Sequence, residues 1–288
     1  MVSLAKILLP VDFSERSIAA VHCAHRLAQL FSPEIILLHV LGPMQYHLGD
    51  TEMGGVMLGD LYRAQMESLT LELEEFQQAE LAGSKVRRLV VDGDPAFRIV
   101  ECAHTEKVDL IMMPTHGCGL FRRFILGSNT AKVLHDANCP VWTGVHIAEA
   151  AARPVEIRNV LCAVDLGPQS VRALEWADWL SRAFQARLTL LHVTAAVPET
   201  ADHVDDEWRA KLRWSAEQTL DHLQAKVGSR AEVMLQAGDP AHAICDVAIR
   251  THAGVVVIAR GSAAGGFGRL RTNAYAIIRQ SPCPVVSV

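Results

Sequence analysis

The feature of this sequence that most constrains its fold is an internal repeat. Four short segments of the first half return in the second half in the same order. The matched segments are Pro10–Ser14 and Ala163–Gly167, Leu37–Val40 and Leu190–Val193, Gly93–Ala96 and Gly238–Ala241, and Cys139–Val141 and Cys283–Val285. The copies are 153 residues apart for the first two pairs, 145 for the third and 144 for the fourth. The 288 residues therefore predict two domains of one fold, 1–147 and 156–288, joined by a linker at 148–155.

Each copy alternates short apolar segments with amphipathic ones, which is the pattern of strands and helices in turn. The predicted strands of the first copy are Lys6–Val11, Glu34–Val40, Val86–Val91, Leu110–Met113 and Val141–Val145. The predicted helices follow Ser14, span Asp60–Leu81, run from Pro95 to about Thr105 and start near Ser128. Strands that are apolar throughout are buried on both faces of a parallel sheet, so helices should cover both faces. The predicted inner face of the long helix is Leu61, Met66, Leu69, Leu73 and Phe76.

Composition and charge exclude several classes of protein. Half of the residues are hydrophobic, which is enough for two cores, yet no apolar run is long enough to span a membrane. The segment Met1–Leu9 leads directly into a strand pattern and lacks the cleavage region of a signal peptide. The seven cysteines lack Cys-x-x-Cys spacing, which argues against disulfides and a zinc site. We therefore expect a cytoplasmic protein without membrane contact, and the formal net charge of −5 argues against nucleic-acid binding.

The stretch between the fourth predicted strand and the helix near Ser128 is a loop rich in glycine. It contains Gly117 and Gly127, with Arg122 between them. Ser128 and Asn129 both suit the first positions of a helix. A glycine loop that presents backbone N–H groups at a helix start binds anions, most often phosphate. The alternative is a plain strand-to-helix turn that needs glycine for its backbone angles.

The spacing of this loop resembles a known family. Nine residues separate Gly117 from Gly127-Ser128, as in the nucleotide loop of the universal stress protein family. Thr115-His116-Gly117 and Cys139-Pro140-Val141 are also similar to that family. The resemblance implies an α/β fold of two tandem Rossmann-like domains, each a five-stranded parallel sheet in the order 3-2-1-4-5 with helices on both faces. It also implies that the two domains pair through Val141–Val145 and Val285–Val288.

The resemblance further implies an adenine-nucleotide site in the first domain, at the carboxyl ends of the strands. Asp12 and Val40 would contact the adenosine, and Gly117 and Gly127–Asn129 would contact the ribose and phosphates. The full set of candidate binding residues is Pro10, Asp12, Val40, Met113, Thr115, His116, Gly117, Arg122, Gly127, Ser128 and Asn129. The ligand would be ATP or another adenine nucleotide, with or without Mg²⁺. The alternative role for Asp12 is a cap on the helix that follows it.

Two features depart from the family pattern. The first glycine of the family's loop falls on Pro114, which lacks an N–H and has a fixed φ. In the second domain, Arg271 and Thr272 stand where the first has the glycine and serine of the phosphate signature. We therefore expect a structural second domain, while Arg260, Arg269 and Arg271 remain candidates to meet an anion.

The predicted function is that of a stress-response regulator that binds an adenine nucleotide in its first domain and has no catalytic residues or metal ligands. A scaffold of the same fold that binds no nucleotide is the first alternative, and Pro114 favours it. An adenine-nucleotide hydrolase is the second alternative, but the sequence shows no paired catalytic carboxylates. The partners to expect besides the nucleotide are proteins of unspecified kind and a second copy of the chain as a homodimer.

Overall fold

The computed structural model describes residues 2–43, 54–115, 126–144, 157–194, 206–260 and 272–288. Strands and helices alternate in both halves, as the sequence predicts. The first half contains β1 (Lys6–Pro10), α1 (Glu15–Phe31), β2 (Glu34–Leu41), α2 (Gly54–Glu75), β3 (Lys85–Asp92), α3 (Pro95–Thr105), β4 (Leu110–Pro114), α4 (Ser128–Asp136) and β5 (Val141–Gly144). The second half contains β6 (Asn159–Val164), α5 (Ser170–Phe184), β7 (Arg187–Thr194), α6 (Asp206–Val227), β8 (Glu232–Ala237), α7 (Pro240–Arg250), β9 (Val255–Ile258), α8 (Thr272–Gln280) and β10 (Val285–Ser287).

The ten strands of the described ranges form one sheet in the order β3-β2-β1-β4-β5-β10-β9-β6-β7-β8. Within each half the strands are parallel, and the order corresponds to 3-2-1-4-5. The order of equivalent strands therefore reads the same from either edge of the sheet. The predicted fold class is confirmed.

Antiparallel pairing of β5 with β10 joins the two halves. Two buried hydroxyl groups cross the junction in equivalent directions. Thr143 Oγ1 donates to Val285 O at 3.3 Å, and Ser287 Oγ donates to Val141 O at 3.3 Å. The last strand of each half is thus covered by that of the other half, which removes two apolar sheet edges from solvent.

Apolar side chains form a continuous core on each face of the sheet. Helices α1, α2, α5 and α6 cover one face, and α3, α4, α7 and α8 cover the other. Both cores contain residues of both halves, and Trp142 is fully buried at the junction. On the first face, the rings of Phe31 in α1 and Trp179 in α5 stack with their centroids 4.6 Å apart. The two halves therefore share an apolar interior instead of meeting at a polar surface.

Two of the helix starts that the sequence predicts in the first half, those of α1 and α3, are confirmed by their caps. Ser14 is the N-cap of α1, and its hydroxyl accepts a hydrogen bond from Ser17 N at 3.3 Å. Asp94 is the N-cap of α3, where its carboxylate accepts from Phe97 N at 2.9 Å. Pro95 then takes the first helical position, where its missing N–H costs nothing.

The long helix α2 differs from the prediction in two ways. It spans Gly54–Glu75, and it ends just before Gln77, whose φ of 52° interrupts a right-handed helix. Leu61, predicted on the inner face, is 54% exposed. Tyr62 is partly buried in its place because it is in phase with the buried Leu73. Neither this helix nor any other in the described ranges is long and apolar enough to cross a membrane.

Candidate functional site

A cleft opens at the carboxyl edge of the first half of the sheet, where β1, β2 and β4 end. The described residues enclose a volume of about 160 Å³. The lining is mainly apolar with a few polar side chains, which is typical of sites for small molecules. The apolar lining residues are Pro10, Val11, Leu38, Val40, Pro95, Ile99, Met113 and Pro114, and the polar ones are Asp12, Ser17, His39, Asn129 and Thr130.

Asp12 is a carboxylate in this cleft, and it also ties β1 to the start of α1. Its Oδ1 atom accepts hydrogen bonds from Ser14 Oγ at 2.5 Å, Ser17 Oγ at 2.6 Å and Ser14 N at 3.2 Å. The Asp12 N–H donates to Ser17 Oγ at 3.0 Å. Ser17 is only 1% exposed, so the carboxylate satisfies a hydroxyl that is shielded from water. Asp12 therefore organises the helix start, although the N-cap itself is Ser14, and it lies in the cleft as well.

Helix α4 begins at the same cleft. Its N-cap, Gly127, has φ −58° and ψ 143°, and its N–H donates to Thr115 O at 2.8 Å. Any residue adopts this φ, so the backbone angles do not require glycine here. Asn129 and Thr130, from the first turn of α4, line the cleft. The positive end of the helix dipole and the first N–H groups, which have no intrahelical partners, therefore lie at the cleft.

Two buried threonines fasten this region to the end of β4. Thr130 Oγ1 donates to Pro114 O at 3.1 Å, and Thr115 Oγ1 donates to Gly144 O at 3.5 Å. Pro114 is the last residue of β4 and pairs with Gly144 of β5. Its fixed φ suits an extended strand. The departure from the family pattern is thus accommodated by the sheet, and the carbonyl of Pro114 helps to hold α4.

Opposite charges join the starts of α3 and α4. Lys132 Nζ lies 3.3 Å from Oδ2 of Asp94. The backbone N–H of Phe97 and then the Lys132 ammonium hold the pKa of the Asp94 carboxyl below its usual value. Both charged side chains are more than half exposed, so the pair contributes little to stability. Its consequence is geometric, because it links the two helices whose first turns line the cleft.

His39 lies in the cleft at the end of β2. Its Nδ1 atom lies 2.9 Å from Val11 O, so this nitrogen carries the proton. Phe13, which has a φ of 60°, stacks on the imidazole with the ring centroids 4.6 Å apart. His192 makes the same 2.9 Å contact with Val164 O in the second half. The orientation of the imidazole is therefore a property of the fold that both halves share.

The structure places the predicted site residues in three groups. Five line the cleft: Pro10, Asp12, Val40, Met113 and Asn129. Three lie at the junction of β4 and α4, outside the described lining: Thr115, Gly127 and Ser128. Three lie outside the described residues: His116, Gly117 and Arg122.

The sequence analysis missed several lining residues. They are Val11, Ser17, Leu38, His39, Pro95, Ile99, Pro114 and Thr130. Ser17 carries a signal that is visible afterwards, since it lies in the first turn of the helix that follows Asp12. His39 and Pro95 belong to segments of the internal repeat, so the repeat marks parts of the cleft as well as parts of the fold.

The second half keeps the role of the aspartate after its first strand but uses Arg260 for a contact with the first half. Asp165 Oδ1 accepts from Gly167 N at 2.9 Å and from Ser170 Oγ at 3.3 Å, so it ties a strand to a helix as Asp12 does. Arg260 is 4% exposed, and its guanidinium donates to backbone carbonyls at the end of α4. The expectation that this arginine meets an anion is therefore wrong. Arg269 and Arg271 lie outside the described residues.

The cysteines of the described ranges are free thiols. Burial raises the pKa of Cys23 to about 12 and the pKa values of Cys245 and Cys283 to about 11. These thiols are therefore protonated at neutral pH and behave as small apolar groups. In the same ranges, no three His, Cys, Asp or Glu side chains come together as metal ligands.

Comparisons with known proteins agree with this architecture. The family model described as "Universal stress protein family" matches residues 4–143 and 156–288. A universal stress protein of Thermus aquaticus is 32% identical over 138 residues, which cover 47% of this chain and 94% of that protein. One of Methanocaldococcus jannaschii is 30% identical over 136 residues, which cover 47% of this chain and 79% of that protein.

The architecture of both halves together is also found in a solved structure. The crystal structure of a universal stress protein from Archaeoglobus fulgidus matches with a TM-score of 0.69 and 26% identity. The match covers 98% of this chain and 95% of that one. The chain therefore belongs to the universal stress protein family, with one family domain in each half.

Proposed function

We propose that the first domain binds an adenine nucleotide, with ATP as the leading candidate, and that the chain acts as a regulator through this binding. The observation that carries the proposal is that a single cleft combines apolar walls, a carboxylate and the start of a helix. These are the three kinds of surface that a base, a ribose and a phosphate chain require. The concave shape and the mixed lining suit a small molecule better than a protein segment.

Each part of the nucleotide has a matching surface. Val40, Ile99 and Met113 provide apolar contact for a purine ring. The Asp12 carboxylate is an acceptor for ribose hydroxyl groups, and hydrogen bonds to a charged acceptor are the stronger kind. The phosphates would lie at the first turn of α4, beside Asn129, where helix N–H groups and the dipole favour negative charge.

A regulatory role fits this cleft better than turnover. Asp12 is the one carboxylate among the lining residues of the described chain, so a pair of carboxylates for acid–base work is lacking there. Asp12 also already accepts three hydrogen bonds, two of them from serine hydroxyls. Such an acceptor holds a ligand but is poorly placed to take a proton from it.

The test is to identify and titrate the nucleotide. Mass spectrometry of the denatured, freshly purified protein would show a bound adenine nucleotide. Titration calorimetry of the emptied protein with ATP should then give one site per chain. Absence of both signals would favour the scaffold that binds no nucleotide.

The variant Pro114→Gly helps to distinguish nucleotide binding from the scaffold that binds no nucleotide, because it restores the family's glycine. If Pro114 blocks binding, this variant gains ATP affinity that the wild type lacks. We expect it to bind ATP no more than a few-fold better than the wild type, since Pro114 lies within the strand pairing and its carbonyl is already used. Circular dichroism would confirm that the variant is folded.

A further inference from the structure

Helix α4 is held at its two ends by different halves of the chain. Its first turn lines the cleft of the first domain. Its last turn is bound by Arg260 of the second domain. Arg260 Nη1 donates to Leu134 O at 3.0 Å and to Ala137 O at 3.1 Å, and Nη2 donates to Cys139 O at 2.5 Å. One buried guanidinium thus satisfies three backbone carbonyls across the domain boundary.

Arg260 is itself fixed within the second domain. It lies two residues beyond the end of β9, and its backbone N–H donates to Val288 O at 2.8 Å. The side chain is 4% exposed, so its bonds to α4 are shielded from competing water. A cation at the carboxyl end of a helix also interacts favourably with the helix dipole. The contact therefore joins the end of β9 in the second domain to the last turn of α4 in the first.

The internal repeat shows that this bond replaces a local one. Ala137 and Ser281 are equivalent, because the cysteine-proline segments that follow them align. In the second half, Ser281 Oγ donates to Cys283 O at 2.7 Å. Ala137 has no hydroxyl, and the corresponding carbonyl, that of Cys139, is bound by Arg260 instead. The first domain thus depends on the second for a bond that the second makes by itself.

The exchange also appears at the other partner. Leu110 and Val255 are equivalent by strand register. Leu110 pairs with Ile7, the second residue of β1, and Val255 pairs with Val160, the second residue of β6. Thr115 then corresponds to Arg260. Thr115 binds Gly144 O inside its own domain, whereas Arg260 reaches into the other one. The halves therefore differ at two aligned pairs, Ala137 with Ser281 and Thr115 with Arg260. Both differences contribute to the contact between Arg260 and the end of α4.

We propose that Arg260 is a positioning residue through which the second domain sets the nucleotide affinity of the first. This inference rests on the proposed function, because it assigns the control of that same site. α4 has nine residues, so it is about 14 Å long and behaves as a single rod. Loss of the hold on its last turn changes the position of its first turn, where the phosphates would bind. The second domain is then a regulatory part of the site and not only a structural copy.

The experiment compares ATP affinity in four proteins by calorimetry. Arg260→Thr copies the first domain and removes the cross-domain bonds. Adding Ala137→Ser to that variant restores the local bond that Ser281 makes in the second half. Arg250→Thr, at an exposed position, controls for the lost charge. Thermal unfolding of each protein measures the structural effect separately.

We expect Arg260→Thr to weaken ATP binding at least about fivefold, the lower end of typical coupling between sites. Arg250→Thr should leave the affinity unchanged. The double variant should regain thermal stability but not affinity, because its new bond lies within the first domain. Recovery of affinity in the double variant would reduce Arg260 to a helix cap and overturn the proposal.

Hydrogen exchange provides a readout that a merely structural role would not change. Since coupling is reciprocal, saturating ATP should slow exchange in the peptide covering Val255–Arg260 of the wild type, and not in Arg260→Thr. A wild type that binds ATP while Arg260→Thr binds it equally well would overturn only this inference. A wild type that binds no ATP would overturn the proposed function and this inference together.

Discussion

Asp12 has two roles in the structure, and its counterpart in the second half allows them to be separated. Asp12→Ala removes the acceptor of Ser14 Oγ and Ser17 Oγ as well as the carboxylate in the cleft. Asp165→Ala removes the equivalent acceptor of Ser170 Oγ. The two variants therefore share the structural defect, while Asp12→Ala alone changes the proposed nucleotide site.

The structural cost follows from the hydrogen bonds. Loss of a charged acceptor that leaves a buried hydroxyl unpaired costs roughly 1–3 kcal/mol. For a chain of this size we expect a decrease in melting temperature of about 2–6 °C. The effect should be the smaller one in Asp165→Ala, since the Ser170 bond of 3.3 Å is longer than the Ser17 bond of 2.6 Å.

The binding cost should appear in Asp12→Ala alone. A lost charge-assisted hydrogen bond to the ribose is worth about 1.5–3 kcal/mol, which corresponds to roughly ten- to a hundredfold in ATP affinity. Differential scanning calorimetry measures the first effect, and isothermal titration with ATP measures the second. Equal ATP affinity in the two variants, with both folded, would show that Asp12 only organises the helix start.

Three further predictions follow from particular residues. Gly127→Val should remain folded, since φ at this position is −58°. Its ATP affinity should fall at least about tenfold, because a branched side chain would lie at the start of α4 where the phosphates would bind. Titration of the folded variant with ATP checks this. Burial raises the pKa of Cys23 from 9.0 to about 12, so the thiol of the unfolded chain loses its proton at a lower pH than that of the folded chain. The free energy of unfolding should therefore fall as the pH rises from about 9 towards 12. Urea unfolding at pH 8 and pH 10.5, with Cys23→Ala as the control, measures the difference. Replacing both Thr143 and Ser287 by valine should cost about 1–3 kcal/mol, because two bonds across the β5–β10 junction are lost, and unchanged urea unfolding would contradict that account.

Much of the fold was predictable because its signals are local. Apolar strands, the caps Ser14 and Asp94, and Pro95 in a first helical turn all appear in the sequence near the elements that they determine. The repeat then doubled each of these signals. The phase of α2 was harder, because Leu61 and Tyr62 are adjacent, both are apolar enough for a core, and only packing decides between them.

The site was predictable where the family pattern contains it and missed where distant segments meet. Pro10, Asp12 and Val40 lie at strand ends that the pattern marks, and all three line the cleft. Ile99 belongs to a helix that reaches the cleft only through the order of the strands. Arg260 was misjudged for a similar reason, since its partners Leu134 and Ala137 are more than a hundred residues away in the chain.

The comparison between the halves also changes what a motif residue can prove. Asp12 and Asp165 both join a strand to a helix through a serine hydroxyl, so the fold itself accounts for an aspartate in each half. An aspartate at this position therefore does not indicate a nucleotide site in the second domain, nor by itself in the first. The discriminating features are those that the fold does not need twice. One of them is the hold of Arg260 on the end of α4, the helix whose first turn lines the cleft. Nucleotide binding and its dependence on the second domain should therefore be gained or lost through α4.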